Sequence, residues 1–411
     1  MSEPSNHLFH NNTVLGLQAG SLPTVAGGSS FAKPRLPLPT LSAVGGLKPA
    51  FLLRLLLLTW IITKLLCFPL WLGDRDFPIV PVHDLLLQVR VYWHAIIFWA
   101  AIGLMAVGIL VPQRKLLAAI LLLELLSCLL DQNRWQPWEY QFIFMLAAYL
   151  FFQGQEYKVN AWQIILPGIY FFSGLSKLQP AFIHDIWNNL LLRNWLGIYT
   201  TNAWIFRLGY ALPLLEMGAA VMLCFERFKK IGCILLIGMH AIIMLVLGPL
   251  GLNRNSVVWP WNLLMPLLLI ALFYTRRLQL SKTFFKKPFS WLLLACFTRL
   301  PWVHLVGRWD HYLSFTLYSG GVPQLYICTD DPAALQSMAP YMGQQRNGMV
   351  PCRFPVSAYQ WGVKTMNTAP YPEERVFRSI ALQWKGQHPQ AAARFYIYQS
   401  GFKPTTREFL P

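Results

Sequence analysis

Residues 167–180 read PGIYFFSGLSKLQP, an apolar and aromatic run that ends on a cation, Lys177. A lysine in that position is either an anchor that reaches out to a membrane surface or a partly buried base. Which of the two holds depends on the surroundings. Outward from this stretch the grain persists: 55% of the 411 residues are hydrophobic, only 12% are charged, and the mean hydropathy is +0.42. Soluble domains carry about 25% charged residues, so a water-soluble core cannot absorb this excess.

The apolar residues fall into repeated runs, each long enough to cross a hydrocarbon layer of about 30 Å as a helix. Nine runs are read, at 52–72, 93–112, 115–131, 139–155, 161–178, 204–225, 231–250, 257–275 and 289–306. The third holds Glu124 in its middle and the fourth, EYQFIFMLAAYLFFQ, is short. Loop charge gives an independent check, because short cytoplasmic loops carry the excess of Lys and Arg. With the amino terminus inside, the cytoplasmic segments hold fourteen basic residues, from Lys33 to Lys287, and the opposite loops hold five, or seven with Lys177 and Arg207. The expected fold is an all-α polytopic membrane protein of about nine transmembrane helices, with a small C-terminal α+β extramembrane domain. Residues 1–48, rich in Gly, Ser, Pro and Asn, are expected to be a disordered cytoplasmic tail, 49–306 the membrane domain, and 307–411 the outer, periplasmic-side domain. The chain is expected in the cell's inner membrane, multi-pass, with its carboxyl terminus outside and the lipid bilayer as its main partner.

The net charge of +17 is accounted for by basic residues placed where anionic lipid lies. Zinc spacing, an RNP motif and a basic reading helix are all missing from the sequence, so no nucleic-acid partner is expected. Histidines are too scattered for metal-ligand spacing. Within the outer domain, QLYICTD and RFYIYQS read as strands, and VSAYQWGVKTM and PEERVFRSIALQWKG as helices. Cys328 and Cys352 both fall there, where a disulfide is chemically permitted but two free thiols remain an alternative. Between the fifth and sixth runs, AFIHDIWNNLLLRNWLGIYTTNAW has helical amphipathicity, either as an interfacial helix or as a short helix packed over the bundle mouth.

Ionisable groups at membrane depth cost about 2.5–3.5 kcal/mol each on insertion scales, so each needs a reason. Lys64 must find a partner or a wet cavity, and Glu124 reads as structural. Lys177, Glu216 and His240 lie on three consecutive runs and are the candidate catalytic group if they converge. The alternatives are a snorkelling Lys177, a Glu216 in a structural ion pair and a His240 bonded to a backbone carbonyl. In LLDQNRWQPWEYQF, the tryptophans and tyrosine read as an interface belt, or else Asp131 and Arg134 line the mouth of an outward cavity. Arg254, between Asn253 and Asn255, reads as a polar cap for that mouth, which makes Asp131, Arg134 and Arg254 the candidate substrate-binding residues.

At YFFSGLSKL, through Tyr170, Phe171, Gly174, Lys177 and Leu178, the chain resembles the membrane region of the vitamin K-dependent carboxylases and their bacterial relatives, the HTTM proteins. The resemblance runs over residues 90–275, through Glu216 in LLEM and His240 ahead of LGPLGLNRNSVVWPWNLLM. A glycine-lysine helix followed by a glutamate helix is also similar to the DoxX and MauE membrane redox proteins. The resemblance implies nine spans, an outward carboxyl terminus, an isoprenoid quinone as cofactor, and a lysine base, here Lys177, that deprotonates a quinol. A desolvated lysine is a coherent base for this purpose. The leading expectation is a membrane enzyme of HTTM/DoxX type doing quinone-linked proton or redox chemistry. Its rival is a non-catalytic scaffold or accessory subunit that binds a protein partner through the C-terminal domain. A transporter ranks third, for want of paired Gly/Pro-broken helices. Lys177, Glu216 and His240 facing one apolar-walled cavity would favour the enzyme, whereas Lys177 pointing into the lipid interface with Glu216 paired to Lys64 or Arg207 would favour the scaffold.

Overall fold

The structure is a computed structural model that describes residues 47–278, 280–342, 350–400 and 403–411. The expected tail lies almost wholly outside the described residues.

Helix α1, Pro49–Leu66, starts with proline at its first turn, where the missing N–H has no partner to lose. Leu53, Leu56, Leu57, Trp60, Thr63 and Lys64 form its buried face, while Leu58, Ile62 and Leu65 point outward. The same inside-out pattern recurs in α2, Val91–Leu110, where Trp99 and Leu110 are exposed. Exposed leucines in place of charges are what a hydrocarbon solvent demands. Helices α3 (Arg114–Leu130), α4 (Pro137–Phe151) and α5 (Gln155–Ser176) follow, then α6 (Ala203–Leu223), α7 (Lys229–Leu247), α8 (Ser256–Tyr274) and α9 (Pro288–Val306). Both α8 and α9 contain a π-helical turn, at Ile270–Tyr274 and Ala295–Arg299.

Among the described residues six helices, α1, α2, α6, α7, α8 and α9, are long and apolar enough to cross a membrane. The chain is therefore a multi-pass, membrane-embedded protein. The other three fall short for physical reasons. Helix α3 has 17 residues and carries Glu124, and α4 has 15, of which 12 are buried. Helix α5 has the length, 22 residues, but not the hydropathy, because Asn160 and Gln163 are buried inside the bundle. A helix surrounded by helices need not be apolar all round. From α1 to α8 sequential neighbours pack against one another, α8 closes back on α1, and α9 lies against α4 and α5.

Beyond α9 the chain forms a four-stranded antiparallel sheet. Its strands are β1 (Gln324–Thr329), β2 (Val356–Ser357), β3 (Ala393–Gln399) and β4 (Thr405–Phe409), in the order β2-β1-β3-β4. Three helices accompany it: α10, Pro332–Met338; α11, Ala358–Met366; and α12, Glu374–Gln387. The two strands and two helices expected from sequence are present, and β2, β4 and α10 are added to them, β2 taking Val356 and Ser357 from the start of the expected VSAYQWGVKTM helix. Cys328 and Cys352 form a disulfide.

The sheet is seated directly on the loops at one end of the bundle. Phe77 meets Trp361 edge-on at 4.9 Å, the Tyr371 amide donates to Asn133 Oδ1 at 3.0 Å, and Gln383 Nε2 donates to the Ile79 carbonyl at 2.7 Å. A continuous apolar core runs from α1 through to Trp384 and Phe395. The edge of this part is held by Glu374, which accepts from Arg378 and Arg407, and these bonds hold its carboxyl below the usual carboxylate range. A depressed pKa stabilises the fold above the unfolded value, and that contribution disappears as pH falls through the folded one. Acidification through the carboxylate range should therefore loosen β4 from α12. Thermal melts against pH should show a slightly shallower acid limb in Glu374→Gln, the effect being small because Glu374 is exposed.

The amphipathic segment between α5 and α6 is a π-helix, Ile183–Trp195. Its Leu190, Leu191 and Trp195 pack on Val246, Leu247 and Val258, so it covers the ends of α7 and α8. Trp138 and Tyr140 are 1% and 3% exposed, which corrects the interface-belt reading for them. A belt residue must touch headgroups, whereas Trp138 sits edge-on to Trp71 at 6.1 Å within the bundle.

Candidate functional site

The Lys177 site is assembled from four helices. Tyr170, Ser173 and Lys177 stand at i, i+3 and i+7 on α5 and so share one face. Lys177 closes the helix: its N–H returns to the Gly174 carbonyl, and Gln179 Nε2 caps the Ser176 carbonyl at 2.7 Å. Its Nζ donates to Ser173 Oγ and to Glu216 Oε2, the latter at 2.8 Å.

Glycine makes that distance attainable. A Cβ at Gly174 would lie 2.7 Å from Met217 Cγ and 2.9 Å from the Pro213 carbonyl oxygen. Only hydrogen fits there, so α5 and α6 touch backbone to backbone one turn below the ion pair. Gly232 plays the same part between α7 and α6, where a Cβ would lie 2.7 Å from the Ala219 carbonyl oxygen.

Beside the ion pair runs a neutral chain of hydrogen bonds. Tyr170 Oη is 2.7 Å from His240 Nε2, and His240 Nδ1 is 2.8 Å from Asn262 Oδ1. Asn262 spends its amide nitrogen on the Val258 carbonyl at 2.8 Å, so its oxygen is the atom turned to the histidine. An oxygen there can only accept, which places the imidazole proton on Nδ1 and leaves Nε2 to accept from the tyrosine hydroxyl. The two systems are close enough that Glu216 acts electrostatically on Tyr170 and Lys177 on His240.

Lys177, Glu216 and His240 are thus brought together. Glu216 pairs with Lys177 and not with Lys64 or Arg207: Lys64 binds Glu124, and Arg207 lies over the Trp204 ring at 5.4 Å. His240 is bonded to side chains and not to a backbone carbonyl. Tyr170, Ser173 and Asn262 complete the constellation without having been assigned from sequence. Tyr170 was named only as part of the YFFSGLSKL stretch, without a role; beyond that the signal was position, Tyr170 and Ser173 on the lysine's face and Asn262 as a lone amide inside an apolar run.

The expected substrate-binding residues do not join them. Asp131 is fully buried and accepts from Arg75, the Val80 and Asn133 amides and Asn133 Nδ2. Arg134, equally buried, directs its guanidinium to the Leu70, Trp71 and Ser127 carbonyls, Ser127 Oγ and His94 Nδ1. These two residues fasten the 131–136 turn to the loop after α1. Arg254 is exposed, in a tight turn where Asn253 and Asn255 adopt left-handed backbone, and acts electrostatically on Tyr359. A groove of about 300 Å³ between α3 and α4, lined by Arg114, Leu121, Leu125 and Phe151 among others, lies apart from the Lys177 group.

The donor set fits a quinone oxygen. An ammonium has three N–H groups, of which Ser173 and Glu216 take two, and Lys177 retains 13% side-chain exposure. Leu212, Leu214 and Leu215 on α6 expose apolar surface suited to an isoprenoid tail. Among the described residues no three His, Cys, Asp or Glu side chains gather as a metal site. No protein-family model, curated protein or solved structure matches the chain significantly.

Proposed function

We propose that the chain is a nine-span membrane protein of HTTM/DoxX type, with its amino terminus cytoplasmic and its sheet outside, that carries out quinone-linked proton or redox chemistry at Lys177, Glu216 and His240. Convergence of an amine, a carboxylate and an imidazole on one face of α5 carries this reading. The charge bias of the loops and the interior character of α3, α4 and α5 support nine crossings.

Each residue has a role suited to its contacts. Lys177 presents its third N–H to a ligand oxygen and exchanges a proton with it. Transfer of the ammonium proton to Glu216 across the 2.8 Å contact leaves a neutral amine and a neutral acid, and the amine then takes the ligand's proton, so the pair gains one positive charge. His240, held by Asn262, keeps Tyr170 oriented as a hydroxyl donor. The quinone, when bound, supplies two-electron redox chemistry at its ring oxygens.

Mass spectrometry of lipid extracted from the detergent-purified protein tests this. Wild type should retain quinone near one per chain. Lys177→Ala and Glu216→Gln should retain at least roughly tenfold less, as expected for losing a charge-assisted hydrogen bond of about 1.5–3 kcal/mol. The scaffold reading is favoured by the way Lys177 and Glu216 satisfy each other and lock α5 to α6. It would be established by folded wild type free of quinone and by variants that change thermal stability alone.

A further inference from the structure

A second buried ionisable cluster lies between α1, α3 and α4. Lys64 Nζ is 2.7 Å from Glu124 Oε2 and 3.9 Å from Glu139 Oε1, and it rests 3.0 Å from the centre of the Trp71 ring. Glu139 Oε2 accepts the Trp60 indole N–H at 2.6 Å. The three charged side chains are 1%, 0% and 0% exposed. The remaining oxygens, Glu124 Oε1 and Glu139 Oε1, have no hydrogen-bond partner among the described residues. Both carboxyl groups crowd the same ammonium, Glu124 at 2.7 Å and Glu139 at 3.9 Å.

Two carboxylates around one lysine leave a negative charge uncovered. The groups facing them do not cover it. Arg134 acts on Glu124 only at a distance, because its N–H groups are committed to carbonyls, Ser127 and His94. Cys67 and Cys128, the other titratable neighbours, bring no positive charge. Like charges side by side in a dry interior, through oxygens that nothing donates to, are strongly disfavoured. One proton removes both defects, since it turns two orphan acceptors into a donor and an acceptor and leaves a neutral triad.

We propose that Glu139 is a proton-binding site: a neutral carboxylic acid whose Oε1–H is donated to Glu124 Oε1, the carboxylate that Lys64 holds. The assignment follows from the contacts. Glu124 has the short bond to the ammonium, and Glu139 accepts from a neutral indole at the oxygen an acid uses as its carbonyl. The site binds a proton and is separate from the Lys177 pair.

Infrared spectroscopy of the full chain in lipid nanodiscs, combined with thermal unfolding, tests the proposal. Wild type at neutral pH should show the carbonyl band of a protonated carboxylic acid. Glu139→Gln supplies an amide N–H in place of the acid proton, so it should lose that band and keep the wild-type Tm. Glu124→Gln strips Lys64 of its partner and should lower Tm clearly. Absence of the band in wild type would overturn the proposal, as would a Tm loss in Glu139→Gln equal to that of Glu124→Gln. A band lost only in Glu124→Gln would put the proton on the other residue and overturn the assignment to Glu139.

Discussion

Arg134→Ala is expected to destabilise the folded protein by about 3–5 kcal/mol, the range for breaking a buried charged network on one side only. The guanidinium donates to three backbone carbonyls, one hydroxyl and one imidazole, all in the interior. Alanine leaves those acceptors unpaired, where each buried unsatisfied group costs about 1–3 kcal/mol. Asp131 keeps its partner, because Arg75 and two backbone amides hold it independently. Arg134→Lys should recover little, since one ammonium cannot reproduce a planar five-donor fork. Unfolding titrations in a single detergent check this. A loss below about 1 kcal/mol, together with altered ligand retention, would return Arg134 to the mouth of a cavity.

That case marks where the sequence stops being legible. An arginine and an aspartate in a short turn between apolar runs look the same whether they face solvent or the interior. What decided the matter was the chain around 70–80, which folds back so that Leu70 and Trp71 offer their carbonyls. Lys64 and Glu124 are a similar pair. The cost of each at membrane depth was visible, but their partnership spans sixty residues and depends on how α1 and α3 pack. Trp138 and Tyr140 were read as touching headgroups, although α4 is buried around nearly its whole circumference.

The helices themselves were legible because lipid-facing segments must be uniformly apolar, and interior ones less so. Helix α4 falls short in length and α5 in hydropathy, yet both are largely buried in the bundle. At the Lys177 site the charged members announced themselves by their cost, whereas Tyr170, Ser173 and Asn262 are cheap enough to be buried without remark. The histidine's partners could not be read from spacing, since Tyr170 lies 70 residues before it and Asn262 22 residues after it.

The substitution expected to disturb the proposed chemistry most without touching an ionisable group is at Gly174. An alanine Cβ there would meet the Pro213 carbonyl oxygen at 2.9 Å and Met217 Cγ at 2.7 Å. The side chain can turn aside, but the backbone oxygen cannot, so α5 and α6 must separate. The strain should cost about 1–3 kcal/mol. A shift of a few tenths of an ångström at Gly174 acts directly on the 2.8 Å contact between Lys177 and Glu216. Gly174→Ala should therefore reduce retained quinone severalfold, and Gly174→Leu as far as Lys177→Ala does. Gly218 provides the control, because a Cβ there meets nothing within 4 Å. Gly218→Ala should leave retention unchanged and raise stability by up to about 1 kcal/mol through helix propensity. Equal behaviour of the two alanine variants would mean that close approach of α5 and α6 does not position the lysine. A loss confined to Gly174 would tie the chemistry to that contact, since the variant leaves every proton-carrying group in place and changes only the distance between them.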